Sequence, residues 1–141
     1  MPVEISEMKL EDYEEIYSLW KTTEGIGLHD YCDSKEGIAN YLKRNPGLSF
    51  IARDGEKIVG TVLCGHDGRR GYLHHLAVAP GHRRKGIGKA LAEKVFEPLR
   101  SIGIRKCHLF VFDKNNDAQK FWQKIGWANR TDLKVMSKDI A

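Results

Sequence analysis

No stretch of this 141-residue chain approaches the roughly eighteen consecutive apolar residues of a membrane-spanning helix, and its opening, MPVEISEMKL, lacks the apolar core of a signal peptide. The expectation is a cytoplasmic protein that engages no membrane. Cysteine is scarce: Cys32, Cys64 and Cys107 are odd in number, widely spaced and without a Cys-x-x-Cys pair, so neither a disulfide framework nor a zinc site is indicated. Reduced thiols and no bound metal are expected. Low-complexity segments, repeats and linkers are missing too, which predicts a single domain over residues 1–141. A chain of this length can bury roughly two thirds of its unfolded surface without a metal or disulfide staple. Charged residues at 30% and hydrophobic residues at 41% exclude disorder. The net charge of +4 is modest and gathers between residues 82 and 89. A dispersed basic face, an aromatic platform and a base-reading helix are all wanting, so a local anionic ligand is expected and a nucleic-acid partner is not.

What is present is concentrated in Tyr72 to Leu91, YLHHLAVAPGHRRKGIGKAL, where an apolar strand stops at Pro80-Gly81 and a basic, glycine-bearing turn leads into an amphipathic helix. The first turn of a helix offers unpartnered N–H groups and roughly half a positive charge. Gly86 and Gly88 allow an anion close to that backbone, and His82, Arg83, Arg84, Lys85 and Lys89 add charge around it. Two nucleotide cradles fail on spacing. A Walker loop starting at Gly81 would need Lys and Ser/Thr where Ile87 and Gly88 stand, and a dinucleotide fingerprint starting at Gly86 would need Gly or Ala at Leu91. Arg83-Arg84-Lys85-Gly86-Ile87-Gly88 instead fits Arg/Gln-x-x-Gly-x-Gly/Ala. It resembles the acetyl-CoA pyrophosphate loop of the GNAT superfamily of N-acetyltransferases. Residues 115 to 127, NNDAQKFWQKIGW, are similar to that superfamily's downstream helix pattern through Asn115, Ala118, Phe121, Gly126 and Trp127, with Trp122 where a tyrosine is usual.

The periodicities give an order of elements. Val3 to Ser6 alternates like a strand, and Leu10, Tyr13, Ile16, Tyr17 and Trp20 repeat at helical spacing. Thr22 to Asp33 is expected to be an irregular acceptor-binding loop. A helix from Ser34 to Asn45, a three-strand meander with turns at Asp54-Gly55-Glu56 and Asp67-Gly68, and a helix over Ile87 to Leu99 weakened by Pro98 follow. Then come a strand KCHLFVF, a helix over Asn115 to Lys124, and a strand or hairpin around Trp127 to Met136. The fold class is α+β, a three-layer arrangement. The resemblance implies the GNAT fold: a mostly antiparallel central sheet, strands four and five parallel and splayed, and about four flanking helices.

Acetyl transfer to an amine needs a neutral nucleophile, oxyanion stabilisation and departure of a thiolate. An amine of pKa about 10.4 is about one part in a thousand neutral near pH 7.4, so a base matters. Strict alternation puts Tyr72, His74, Leu76 and Val78 on one strand face and Leu73, His75 and Ala77 on the other, leaving one of the two histidines to face the cleft. Leu-His-x-Leu-Ala-Val resembles the arylalkylamine branch, which implies that His74 relays the amine proton; the other reading is that His74 lines a wet cleft and water carries it. The resemblance further implies pantetheine contacts at Leu76, Ala77 and Val78, an oxyanion contact near Leu76, and cosubstrate contacts from Arg83 through Lys89, including Ile87, and from Asn115, Ala118 and Trp122. Indole cannot usefully donate a proton, so Tyr72 or Tyr31 is a candidate acid. Asn115 also reads as a helix N-cap. Phe121, Ile125 and Trp127 read as core residues, and His29, Asp30, Tyr31 and Asp33 as candidates to receive an ammonium group. The expected function is acetyl-CoA-dependent transfer to a primary amine of a small molecule or peptide, by a protein whose family often forms homodimers. The alternative is a non-catalytic, CoA-binding regulatory domain of the same fold, which Trp122 keeps open.

Overall fold

The computed structural model describes residues 2–141. The chain divides into two compact units, residues up to Phe110 and Val111–Ala141. The first contains a five-stranded sheet in the order β1-β2-β3-β4-β5, with β1 Val3–Glu7, β2 Phe50–Asp54, β3 Lys57–His66, β4 Gly71–Val78 and β5 Cys107–Leu109. Four strands run antiparallel as a meander and β5 joins β4 in parallel. Its helices are α1 Tyr13–Lys21, α2 Asp30–Asp33, α3 Lys35–Arg44, α4 Ile87–Lys94 and α5 Phe96–Ser101. A 3-10 turn over Leu10–Asp12 enters α1. No helix among the described residues is long and apolar enough to cross a membrane.

Neighbouring residues of β3 show how the layers are assigned. A Cβ on Gly60 would lie 2.8 Å from a Leu91 methyl and 3.3 Å from Ile87, so α4 packs against the face to which Gly60 points. Thr61, one residue on, points the opposite way and receives the Trp20 indole of α1. Gly65 shares the parity of Thr61, and a Cβ there would meet the Tyr41 hydroxyl at 2.6 Å and Asn45 at 2.9 Å, which sets α3 on the α1 side. The core therefore lies on both faces: Ile16, Leu19 and Trp20 on one, Leu91, Ala92, Val95 and Leu99 on the other. This is the three-layer architecture expected, with a splay as well, because β4 and β5 pair only through Gly71–Cys107, Tyr72–His108 and Leu73–Leu109 while β4 continues to Val78.

Several boundaries differ from those read off periodicity. The helix expected over Ile87 to Leu99 is two helices broken at Val95, since Pro98 has no N–H for the Lys94 carbonyl and its ring crowds that oxygen. The expected strand KCHLFVF pairs for three residues only, and Phe110 and Phe112 are exposed. The expected loop Thr22 to Asp33 ends in α2. The second unit holds α6, Asn116–Lys124, and residues 127–136 form no strand or hairpin there. Phe121, Ile125 and Trp127 are half-buried and α6 has no fully buried residue, which corrects their reading as core. The three cysteines are free, and burial pushes the Cys64 thiol up to about 12.

Thr61 is fully buried and links two groups: the Trp20 indole N–H donates to its Oγ1 at 2.9 Å, and its hydroxyl donates to the His75 carbonyl at 2.9 Å. Thr61→Val strands both and is expected to lower unfolding free energy by about 1–3 kcal/mol in urea titration. Thr61→Ser, which keeps the hydroxyl, should lose less.

Candidate active site

The centre of the site is an irregularity in β4. Leu63 stands opposite His74 and Thr61 opposite Ala77, so β4 carries one more residue than β3 across this interval, a β-bulge at His75 and Leu76. His75 takes a φ of 50°, a left-handed conformation uncommon for a residue with a side chain. The Trp20–Thr61–His75 hydrogen-bond chain fixes its backbone, and the Trp20 ring meets the imidazole edge-on at 4.8 Å. Strict alternation placed His74 and His75 on opposite faces. The bulge overturns that and turns both toward the α1/α3 layer, His74 against Tyr41 at 6.4 Å and His75 against Trp20 and Asp33.

Asp33 is the residue that sequence reasoning missed in this role. It is buried, its Oδ1 lies 2.7 Å from His75 Nε2, its Oδ2 accepts the His29 N–H at 2.8 Å, and its carbonyl accepts the Tyr13 hydroxyl. Local sequence explains the placement. Ser34 caps α3 by accepting the Gly37 N–H at 3.0 Å, and a Cβ at Gly37 would lie 2.5 Å from the carbonyl oxygens of Tyr31 and Cys32. Glycine there lets α3 begin against the backbone of α2, which points the last residue of α2 at β4. Both Asp33 oxygens are thus already engaged within the fold, by the His75 ring and by the His29 N–H. His29 is tied in through its main chain, and the Tyr31 side chain is 86% exposed.

Burial, and after it the neighbouring His75, holds His74 below its ordinary pKa, with Asp33 acting in the opposite sense. His74 is therefore kept neutral, the form that accepts a proton. Tyr41 offers a buried hydroxyl without a hydrogen-bond partner among the described residues, and burial pushes its pKa up, so it stays protonated. Beyond His74 the same side carries Phe110 at 6.3 Å, and Tyr72 lies 6.4 Å from Phe110 and 5.7 Å from His108. His74 and Tyr72 thus share one aromatic wall.

The free edge of β4 lies beside this wall. Ala79 donates its N–H to Val59 of β3 at 2.8 Å, so by alternation Ala77 also faces β3 while Leu76 and Val78 direct their polar groups away from it. Past Leu73 no strand among the described residues pairs with them. Arg83 Nε–H donates to the Val78 carbonyl at 2.9 Å, which ties the basic turn to the strand end. Arg84 and Gly86 then take φ of 63° and 83°, and α4 starts at Ile87. A run of this kind turns successive N–H groups into one concavity. A Cβ on Gly86 would meet nothing within 4 Å, so the space in front of that backbone is open. Arg83, Arg84, Lys85 and Lys89 are exposed around it, Gly88 sits in the first helical turn, and the Ile87 side chain is buried beneath. His82 turns aside to Asp54, at 2.8 Å, and its hydrogen bond lowers the Asp54 pKa. These features fit a pyrophosphate.

In the second unit, Asn115 caps α6 by accepting the Ala118 N–H at 3.1 Å. Trp122 packs edge-on against Phe121 and Trp127, both at 5.1 Å.

Comparison with known proteins agrees with this geometry. The model of the acetyltransferase (GNAT) family matches residues 11–127. An acetyltransferase of Pectobacterium atrosepticum is 31% identical over 123 residues, covering 87% of this chain and 86% of its own, and one of Sodalis glossinidius is 27% identical, covering 98% and 96%. The crystal structure of PaiA N-acetyltransferase from Thermoplasma acidophilum in complex with coenzyme A superposes with a TM-score of 0.75 at 25% identity, covering 99% of this chain and 94% of that one. The chain belongs to the GNAT acetyltransferase family, and it is an acyltransferase dependent on acetyl-CoA.

The depressed pKa of His74 fixes the sign of a stability effect. The unfolded chain binds this proton near pH 6.5, whereas the folded protein binds it only at lower pH, so stability is full above that value and falls as the solution is acidified through the interval. NMR titration should place the His74 midpoint below 6.5, and His74→Gln should flatten the fall of stability as the pH drops below 6.5.

Proposed function

We propose that the protein transfers acetyl directly from acetyl-CoA to a primary amine of a small molecule or of a peptide or protein. The observation that carries this reading is the open edge of β4 past Leu73, followed after a 3-10 turn over Pro80–His82 by the left-handed positions Arg84 and Gly86 ahead of α4. An extended amide chain can lie along the edge and use Leu76 and Val78, as an added strand would. Its pyrophosphate end then meets the backbone at Gly86 to Gly88 and the side chains of Arg84, Lys85 and Lys89. Ala77 contributes by holding the edge against β3, and Ile87 by its main chain. Acetyl-CoA supplies the thioester, an acyl group with a good leaving group. The chain's own task is to bind it, bring an amine up to it and accept protons.

His74 is the group suited to take the amine proton, since burial keeps it neutral and it lies on the aromatic wall at the edge. The N–H near Leu76 is the candidate for the oxyanion. Tyr72 is the candidate acid for the departing sulfur; a thiolate of pKa near 8.5 asks little of it. Asn115, Ala118 and Trp122 are read as further cosubstrate contacts. The Trp122 ring stack favours a packing role for that residue, which leaves activity intact without a tyrosine. His29 and Tyr31 belong to the acceptor loop. One functional domain over residues 1–141 is supported by the family match, which runs from the first unit into the second.

Titration calorimetry with acetyl-CoA, CoA and adenosine bisphosphate is the direct test, with micromolar, near-stoichiometric binding expected and absence of binding at moderate salt overturning the reading. Gly86→Val should weaken acetyl-CoA more than tenfold: a β-branched side chain at φ 83° is strained by about 1–2 kcal/mol and projects into the space the anion needs. His74→Ala should lower kcat about 10²-fold or more and leave acetyl-CoA affinity within about twofold; acceptor-dependent thiol release reads both.

A further inference from the structure

We propose that His75 and Asp33 form the second station of a proton relay that begins at His74, a role that rests on the amine-acetylation reading above. The geometry is that of a base oriented by a carboxylate. Asp33 Oδ1 lies 2.7 Å from His75 Nε2, with the two side chains 8% and 14% exposed. An ionised carboxylate at that distance places the ring proton on Nε2, and the Nδ1 lone pair becomes the acceptor. The His75 ring makes no other hydrogen bond among the described residues, so Nδ1 is not committed elsewhere. A purely structural contact would need a donor alone. Here a strained backbone at φ 50°, a carbonyl pinned through Thr61 and a ring set against Trp20 all fix one imidazole in one orientation. Strain of this kind persists where the surroundings over-determine it, and it gathers at working sites.

The proton count calls for such a station. Converting an ammonium ion and a thioester to an amide and a thiol forms one C–N bond and breaks one C–S bond. The nitrogen sheds two protons, one goes to sulfur, and one is left over. His74 takes that proton from the nitrogen, a water carries it on to the uncommitted Nδ1 of His75, and the resulting imidazolium stands against the Asp33 carboxylate until solvent removes the proton. The titratable groups facing the relay are Tyr13 from α1, Asp33 from α2, Tyr41 from α3 and His74 from β4, while β3 presents the uncharged Thr61. Asp33 also binds the His29 N–H through Oδ2, so one carboxylate orders the end of the acceptor loop and the relay together.

Acceptor basicity separates relay from scaffold. Two variants are compared with the wild type: Asp33→Asn, which is isosteric, and His75→Asn, which tolerates a positive φ and can donate a hydrogen bond but cannot take up a proton. Each is assayed with an alkylamine that the wild type acetylates and with the matching alkoxyamine, in which oxygen replaces the methylene beside the nitrogen and the nucleophile is already neutral at pH 7. Each variant is expected to lose about 10²-fold in kcat with the alkylamine and less than about threefold with the alkoxyamine, at unchanged KM for acetyl-CoA, and the double variant is expected to lose little more than either. Equal losses with both acceptors, or no loss with the alkylamine, overturn the relay. If Asn at position 75 disturbs the bulge and weakens acetyl-CoA binding, Asp33→Asn decides alone. A wild type that binds acetyl-CoA and acetylates no amine would instead sink the proposed function itself.

Discussion

The hydrogen-bond chain from Trp20 through Thr61 to the His75 carbonyl is the constraint on which the site depends. Trp20 and Thr61 are fully buried, and each contributes polar atoms that must find partners in the interior. They find one another and a main-chain carbonyl that only a bulged strand presents. The same contact thus joins α1 to the sheet, fixes the extra residue in β4, and sends two successive imidazoles into the α1/α3 layer. Loss of one hydroxyl would relax all three.

From that bulge onward β4 has two edges of different character. One is saturated by β3; the other is open past Leu73 because β5 is three residues long. The open edge, the positive φ values at Arg84 and Gly86 and the exposed lysines and arginines are close together in the chain, so a single short segment supplies both the extended and the charged parts of the candidate site. A helix N-terminus attracts phosphate through backbone dipoles as well as side chains, and the backbone share is insensitive to which basic residue occupies each position.

The fold order and the basic glycine turn were legible because both rest on short-range signals: apolar runs in β3 and β4, turn residues at Gly55 and Gly68, and a glycine at the one position of the loop where φ is 83°. The bulge was not legible. Nothing in LHHLAV marks His75 as left-handed, and its conformation is imposed by Thr61, fourteen residues away, and by Trp20. Asp33 was hidden for a related reason, since its partner is 42 residues distant and its helix has only four residues, too few for a periodic pattern. Pro98 signalled a weakened helix, but the break falls at Val95, the position its missing N–H dictates. Residues 127–136 alternate enough to suggest a strand, yet no strand within their unit pairs with them.

The Arg83 contact with the Val78 carbonyl has a bearing on solubility. A strand edge without a neighbour is a template for another chain, and proteins guard such edges with charge or by occupying their acceptors. Arg83 does both at the end of β4, where its guanidinium takes one exposed carbonyl and leaves positive charge beside the row. A second copy approaching edge to edge would bring the same basic cluster against this one. The basic turn thereby also discourages the sheet from growing into its own neighbour.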